Sequence, residues 1–142
     1  MNNIININNK LAIKEILELN DITSKKDLSL TYKDTLYLIK NKNNILKDIG
    51  RIEVGSGIIK KIIYTFYDSP YIDKYNYLKM LLELINIFYL YQDKFSYILI
   101  DEQLLKYMRK CFDTECAGSW KLLESVSFNK LNEYLEEGKI YE

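Results

Sequence analysis

The chain has 142 residues with 20 basic and 20 acidic side chains, no histidine, two cysteines and one proline. A length of this order specifies one domain able to bury roughly two-thirds of its unfolded surface without disulfide or metal staples. The absence of histidine excludes Ser-His-Asp and Cys-His catalysis and every histidine metal site.

The charge is evenly spread: residues 1–71 hold 11 basic and 8 acidic side chains, residues 72–142 hold 9 and 12. Lys25-Lys26 and Lys60-Lys61 are isolated pairs. A nucleic-acid binder concentrates positive charge to displace counterions, so nucleic acid is not an expected partner. Met1–Asn9 lacks a basic region followed by an unbroken apolar one, and the longest clean apolar run, Ile87–Tyr91, falls far short of the ~18 residues a membrane span needs. The expectation is a cytoplasmic protein that does not engage a membrane.

Residues 1–9, rich in Asn and Ile, read as a flexible arm, and residues 10–142 as a single helical domain. A short helix is expected over Lys10–Leu19, with Ala12, Ile13, Ile16 and Leu17 on one side, broken by Asn20–Ser24. Thr31 and Asp34 form a variant capping box opening a helix that runs to Asp48 and stops at Gly50. Tyr32, Thr35, Ile39, Leu46 and Ile49 share one face of it, and Lys42 falls in the same stripe. Either the lysine snorkels its amine to water or a carboxylate meets it from elsewhere in the fold.

Arg51–Val54 alternates and is the one candidate strand. Gly55-Ser56-Gly57 leads into a helix burying Ile59, Ile62, Ile63 and Phe66. Its backbone N–H groups, with Lys60 and Lys61 close by, could cradle an anion, but neither the P-loop nor the dinucleotide pattern is present and a plain loop with a helix N-cap is the favoured reading. Ser69-Pro70 suits a helix start. From there or from Asp73 to Asp93 the polar residues Asn76, Lys79, Glu83, Asn86 and Asp93 keep to one narrow helical stripe, and nearly everything else is apolar. A helix of that kind must be covered on several sides, so it is the expected centre of the fold.

Beyond it, Asp101 reads as an N-cap, with Ile100 and Leu105 as a hydrophobic staple. Leu104, Leu105, Met108, Cys111 and Phe112 line the inner face of the helix that follows. Ala117-Gly118-Ser119 breaks the chain again, and Ser119 caps a last helix whose Trp120, Leu123, Leu131, Tyr134 and Leu135 share an apolar face. The fold class is therefore all-α, a bundle of five or six helices around a central hydrophobic one.

Candidate chemistry is sparse. Arg51, Glu53, Asp68, Ser69 and Tyr71 make the densest polar cluster. Arg51 beside Glu53 suits a bidentate brace at a helix junction, and the alternative is a small-ligand or partner-binding corner. Cys111 and Cys116, five apart, lack further soft ligands; Cys111 falls on an apolar face, and Cys116 is the more reactive candidate of the two. Asp101-Glu102 and Asp113/Glu115 could suggest acid–base carboxylates or calcium, but acidic residues in a helix's first turn are expected from its dipole and no EF-hand spacing is present. Tyr89, Tyr91, Phe95 and Tyr97 concentrate aromatics that would mark a protein-binding patch if exposed together.

From Leu28 onward several strings resemble a family of small bacterial proteins of unknown function: GRIEVG (Gly50–Gly55), YDSPYI (Tyr67–Ile72), LLELINIFY (Leu81–Tyr89), DEQLLKYM (Asp101–Met108) and CAGS (Cys116–Ser119). The resemblance implies an intact single-domain member and no particular reaction. The leading expectation is a non-enzymatic interaction or regulatory module that binds protein or a second copy of itself, without cofactor or metal. The alternative is a small-molecule binder or minor enzyme using Lys42, Arg51, Glu53, Asp68 and Tyr71 around one pocket.

Overall fold

In a computed structural model, which describes residues 2–138 and side chains from residue 9, the chain is helical throughout, with no strand among the described residues. The helices are α1 (Asn2–Glu18), α2 (Asn20–Thr23, extended by a 3₁₀ turn Ser24–Lys26), α3 (Tyr32–Asp48), α4 (Ile58–Phe66), α5 (Tyr77–Phe95), α6 (Asp101–Asp113), α7 (Trp120–Leu122) and α8 (Phe128–Glu136). A π turn, Leu123–Ser127, joins α7 to α8 with helical backbone on both sides. Helix α1 starts at Asn2 rather than Lys10, so residues 2–9 of the expected N-terminal arm have helical backbone; the side chains of residues 2–8 lie outside the description.

Helix α5 is the centre. It packs against α3, α4, α6 and α7. Leu81, Leu84, Ile85, Ile87, Phe88, Tyr91 and Phe95 are sealed from water, while Lys79, Asn86 and Asp93 keep to the exposed side. The narrow polar stripe legible in the sequence is therefore the one flank left uncovered.

Helix α5 begins at Tyr77, several residues later than Pro70 or Asp73. The Asp73 carboxylate accepts the N–H groups of Tyr75 and Asn76 at 2.8 and 3.0 Å, and the Asn76 side chain accepts from Asp73 N–H and donates to Tyr71 O. Side chains that satisfy their own neighbouring backbone hold a turn in competition with helix.

Helix α3 opens with the expected capping box: Asp34 N–H donates to Thr31 Oγ1 and Thr31 N–H to Asp34 Oδ2, both at 3.0 Å. It closes in a Schellman turn, with Gly50 at φ +70° and the N–H groups of Gly50 and Arg51 on the carbonyls of Lys47 and Leu46. Ile100, not Asp101, is the N-cap of α6; its N–H donates to the Gln103 side chain at 2.9 Å. Ile100 is 62% exposed, so the expected staple with buried Leu105 does not form.

Candidate functional site

The Schellman turn after α3 delivers Arg51 and Glu53 to the side of α5. There Arg51 Nη1 donates to Gln92 Oε1 at 2.5 Å, and the Gln92 amide donates to Asp101 Oδ1 at 3.1 Å. Glu53 Oε1 accepts from the Tyr89 hydroxyl at 2.9 Å and more weakly from Ile58 N–H at 3.4 Å, and Glu53 Oε2 lies 3.7 Å from Arg51. One chain of polar groups thus ties the segment before α4 to α5 and to the start of α6.

Lys42 sits behind this chain, 1% exposed. Its amine donates to Gly55 O at 3.2 Å and lies 4.0 Å from Glu53 Oε1. The snorkelling alternative fails and the carboxylate partner is present. Burial lowers the pKa of Lys42, with Glu53 and then Glu15 opposing that drop by favouring the charged amine. The Tyr89 phenol is pushed above its ordinary value, first by burial and then by the Glu53 charge beside it.

Gly55-Ser56-Gly57 is the plain loop before α4, and the place where an anion could have been cradled is filled from within. Ser56 N–H donates to Glu15 Oε1 at 3.0 Å, and Ile58 N–H, at the start of α4, faces Glu53. Gly57 has φ +56°, and a Cβ there would run into the Glu53 carboxylate and stand 3.1 Å from Lys42 Nζ. The loop therefore requires glycine both for its backbone and for the room its own carboxylates occupy. Glu15, Glu53, Lys42 and Arg51 balance in charge, and among the described residues no buried side-chain nitrogen or oxygen lacks a hydrogen-bond partner.

Asp68 and Tyr71 belong to a different corner. Arg109, on α6, binds Asp113 through Nε and both Asp68 and Thr65 O through Nη1, each at 2.6 Å. Ser69 Oγ donates to Asp113 Oδ1 at 2.7 Å. The Tyr71 ring meets Phe112 edge-on at 6.2 Å and covers Gly118, where a Cβ would lie 2.6 Å from the ring. The structure therefore brings Lys42, Arg51 and Glu53 together and holds Asp68 and Tyr71 at the α4–α6 junction. Sequence reasoning missed Arg109, although its spacing of four from Asp113 was a readable signal. It also missed Gln92 and Glu15, whose roles depend on contacts 41 residues away in the chain.

Both thiols are buried. Cys116 Sγ lies 3.2 Å from Ser127 Oγ. Burial raises the pKa of each thiol, which counts against Cys116 as the more reactive candidate of the two. Among the described residues no group of three or more His, Cys, Asp or Glu side chains is arranged to hold a metal, and no helix is long and apolar enough to cross a membrane.

What remains open to solvent is the outer side of the Arg51–Gln92–Asp101 chain. Ile52 is 89% and Val54 71% exposed, with Ile49 beside them, and Tyr97 and Ile100 are exposed on the loop between α5 and α6. Two hollows flank this edge. One, of about 430 Å³, has Ile39 and Leu46 at its floor and Lys47, Arg51 and Ile52 at its rim. The other, of about 350 Å³, is lined by Ile49, Arg51, Tyr89, Gln92, Asp93 and Ser96.

Fold and site together define a small all-α single-domain protein whose polar interior is spent on holding helices and a loop in place. Residues 15–140 match the profile of the family of unknown function DUF6323, and the chain belongs to that family. No curated protein and no solved structure matches it.

Proposed function

We propose that the protein is a non-enzymatic interaction module of the cytoplasm, and that it binds protein through the edge formed by residues 49–54 and 97–100. The supporting observation is the exposure of Ile49, Ile52, Val54 and Ile100 next in the chain to an internally satisfied polar network of Arg51, Glu53, Tyr89, Gln92 and Asp101. Burying Lys42 beside Glu53 is costly for folding unless both are well paired. The network holds two loops in one register, and a rigid apolar edge binds without the cost of ordering it first. The same network argues against a catalytic reading, because Lys42, Arg51 and Glu53 direct their polar atoms at one another and at Gly55, Tyr89 and Gln92. Balanced charge counts against nucleic acid as the partner, and two free thiols accord with a reducing compartment.

A photo-reactive phenylalanine analogue at position 52 tests this in the source cells, with the same analogue at exposed Glu124 as the control. Covalent adducts are expected from position 52 and not from position 124. Equal or absent adduct formation at the two positions overturns the reading.

A further inference from the structure

We propose that the partner on this edge is a second copy of the chain, joined about a two-fold axis that runs between two hollows of the edge; the proposal rests on the interaction reading above. A two-fold interface needs one patch that complements itself, so that what protrudes from one copy meets a recess of the other. Ile52 is exposed at the hollow of about 430 Å³, and Arg51 lines both that hollow and the second, of about 350 Å³, so a rotation that exchanges the two sides carries Ile52 of each copy toward the second hollow of the other.

Charge follows the same arrangement. Lys47 lines the first hollow and Asp93 the second. Both are exposed, and among the described residues neither has an ion-pair partner within the chain. Rotation about an axis between the hollows, crossing the line from Lys47 to Asp93, exchanges the two sides and sets Lys47 of each copy against Asp93 of the other. With 20 basic and 20 acidic residues, no net repulsion opposes the approach of two copies.

The exposed side chains of Ile49, Ile52, Val54 and Ile100 supply an apolar centre, and a standard interface takes ~800 Å² from each partner.

The experiment is a concentration series of the full-length chain by sedimentation velocity and light scattering. The wild type is expected to dimerise in the micromolar range, and Ile52→Asp to be monomeric with an unchanged far-ultraviolet circular dichroism spectrum. Lys47→Glu and Asp93→Lys are each expected to weaken dimerisation about tenfold, and the double variant K47E/D93K to restore it. A dimer indifferent to Ile52→Asp, or a double variant no tighter than the single ones, overturns the proposed interface. A wild type monomeric at every concentration overturns the second copy as partner. In that case adducts from position 52 with a different protein leave the interaction reading standing, and the absence of any such adduct removes both.

Discussion

Lys42 and Glu53 form a pair whose members do not depend on each other equally. Without Lys42, Glu53 keeps the Tyr89 hydroxyl, Ile58 N–H and Arg51. Without the Glu53 charge, Lys42 keeps Gly55 O and an otherwise buried ammonium. Removing one partner of a buried pair costs about 3–5 kcal/mol when the other is left uncompensated, whereas replacing a buried charge by an apolar group of similar volume is often close to neutral. Glu53→Gln is therefore expected to lower stability by about 3 kcal/mol and Lys42→Met by well under half of that, measured by urea unfolding at neutral pH. Equal losses in the two variants would show that Lys42 contributes through its charge rather than its volume. The sequence placed Lys42 in an apolar stripe and named a carboxylate as one of two possible companions. Which carboxylate, and that Glu15 would approach the same loop, could not be read, because both depend on how α1 and the loop before α4 dock against α3.

At the scale of the element, α5 and its neighbours hold tyrosines whose hydroxyls face inward. The Tyr91 hydroxyl donates to Leu123 O and the Tyr107 hydroxyl to Ser127 O, both at 2.8 Å, at the two ends of the π turn. A π turn departs from the regular i to i−4 bonding of a helix, and these phenols supply donors at that place. Burial raises the pKa of all four phenols involved: Tyr77 up to about 12, and Tyr89, Tyr91 and Tyr107 in the same direction. A phenol with a raised folded pKa keeps its full stabilising contribution below the unfolded value of 10.0 and loses it as pH climbs toward the folded value. Lys42 acts in the opposite sense, because its lowered pKa lets stability rise with pH up to 10.5. Above pH 10 four phenols outweigh one amine. Tyrosinate absorbance is expected to rise together with the loss of helical circular dichroism between about pH 10 and 12. Ionisation of these four tyrosines while the helices stay intact would contradict the buried phenols. The aromatic concentration at the end of α5 was legible as composition. Its division into Tyr91 and Phe95 inside and Tyr97 outside was not, because helix α5 ends at Phe95 and only the turn beyond it aims Tyr97 at solvent.

For the whole molecule, a helix covered on nearly every side makes the fold a single cooperative unit. Leu84 is fully buried near the middle of α5. Leu84→Ala is expected to cost about 2–5 kcal/mol through lost burial and the cavity it leaves. Near- and far-ultraviolet circular dichroism should still report coincident unfolding transitions. Separate transitions would mean that α1–α3 and α6–α8 are stabilised independently of α5.

The all-α class, the capping box at Thr31 and Asp34, the stop at Gly50, the buried face of α6 and the central place of α5 followed from the chain alone. Each is specified by residues within one or two helical turns, through periodicity, capping and backbone preference. Tertiary structure alone decided that the carboxylates of Glu15 and Glu53 occupy the loop before α4, that Arg51 reaches Asp101 through Gln92, and that Arg109 gathers Asp68 and Asp113. It also decided that Ile52 stands in solvent at the mouth of a hollow. Those arrangements rest on contacts between residues far apart in the chain, and local preference carries no information about which helix a polar side chain will meet once the bundle has closed.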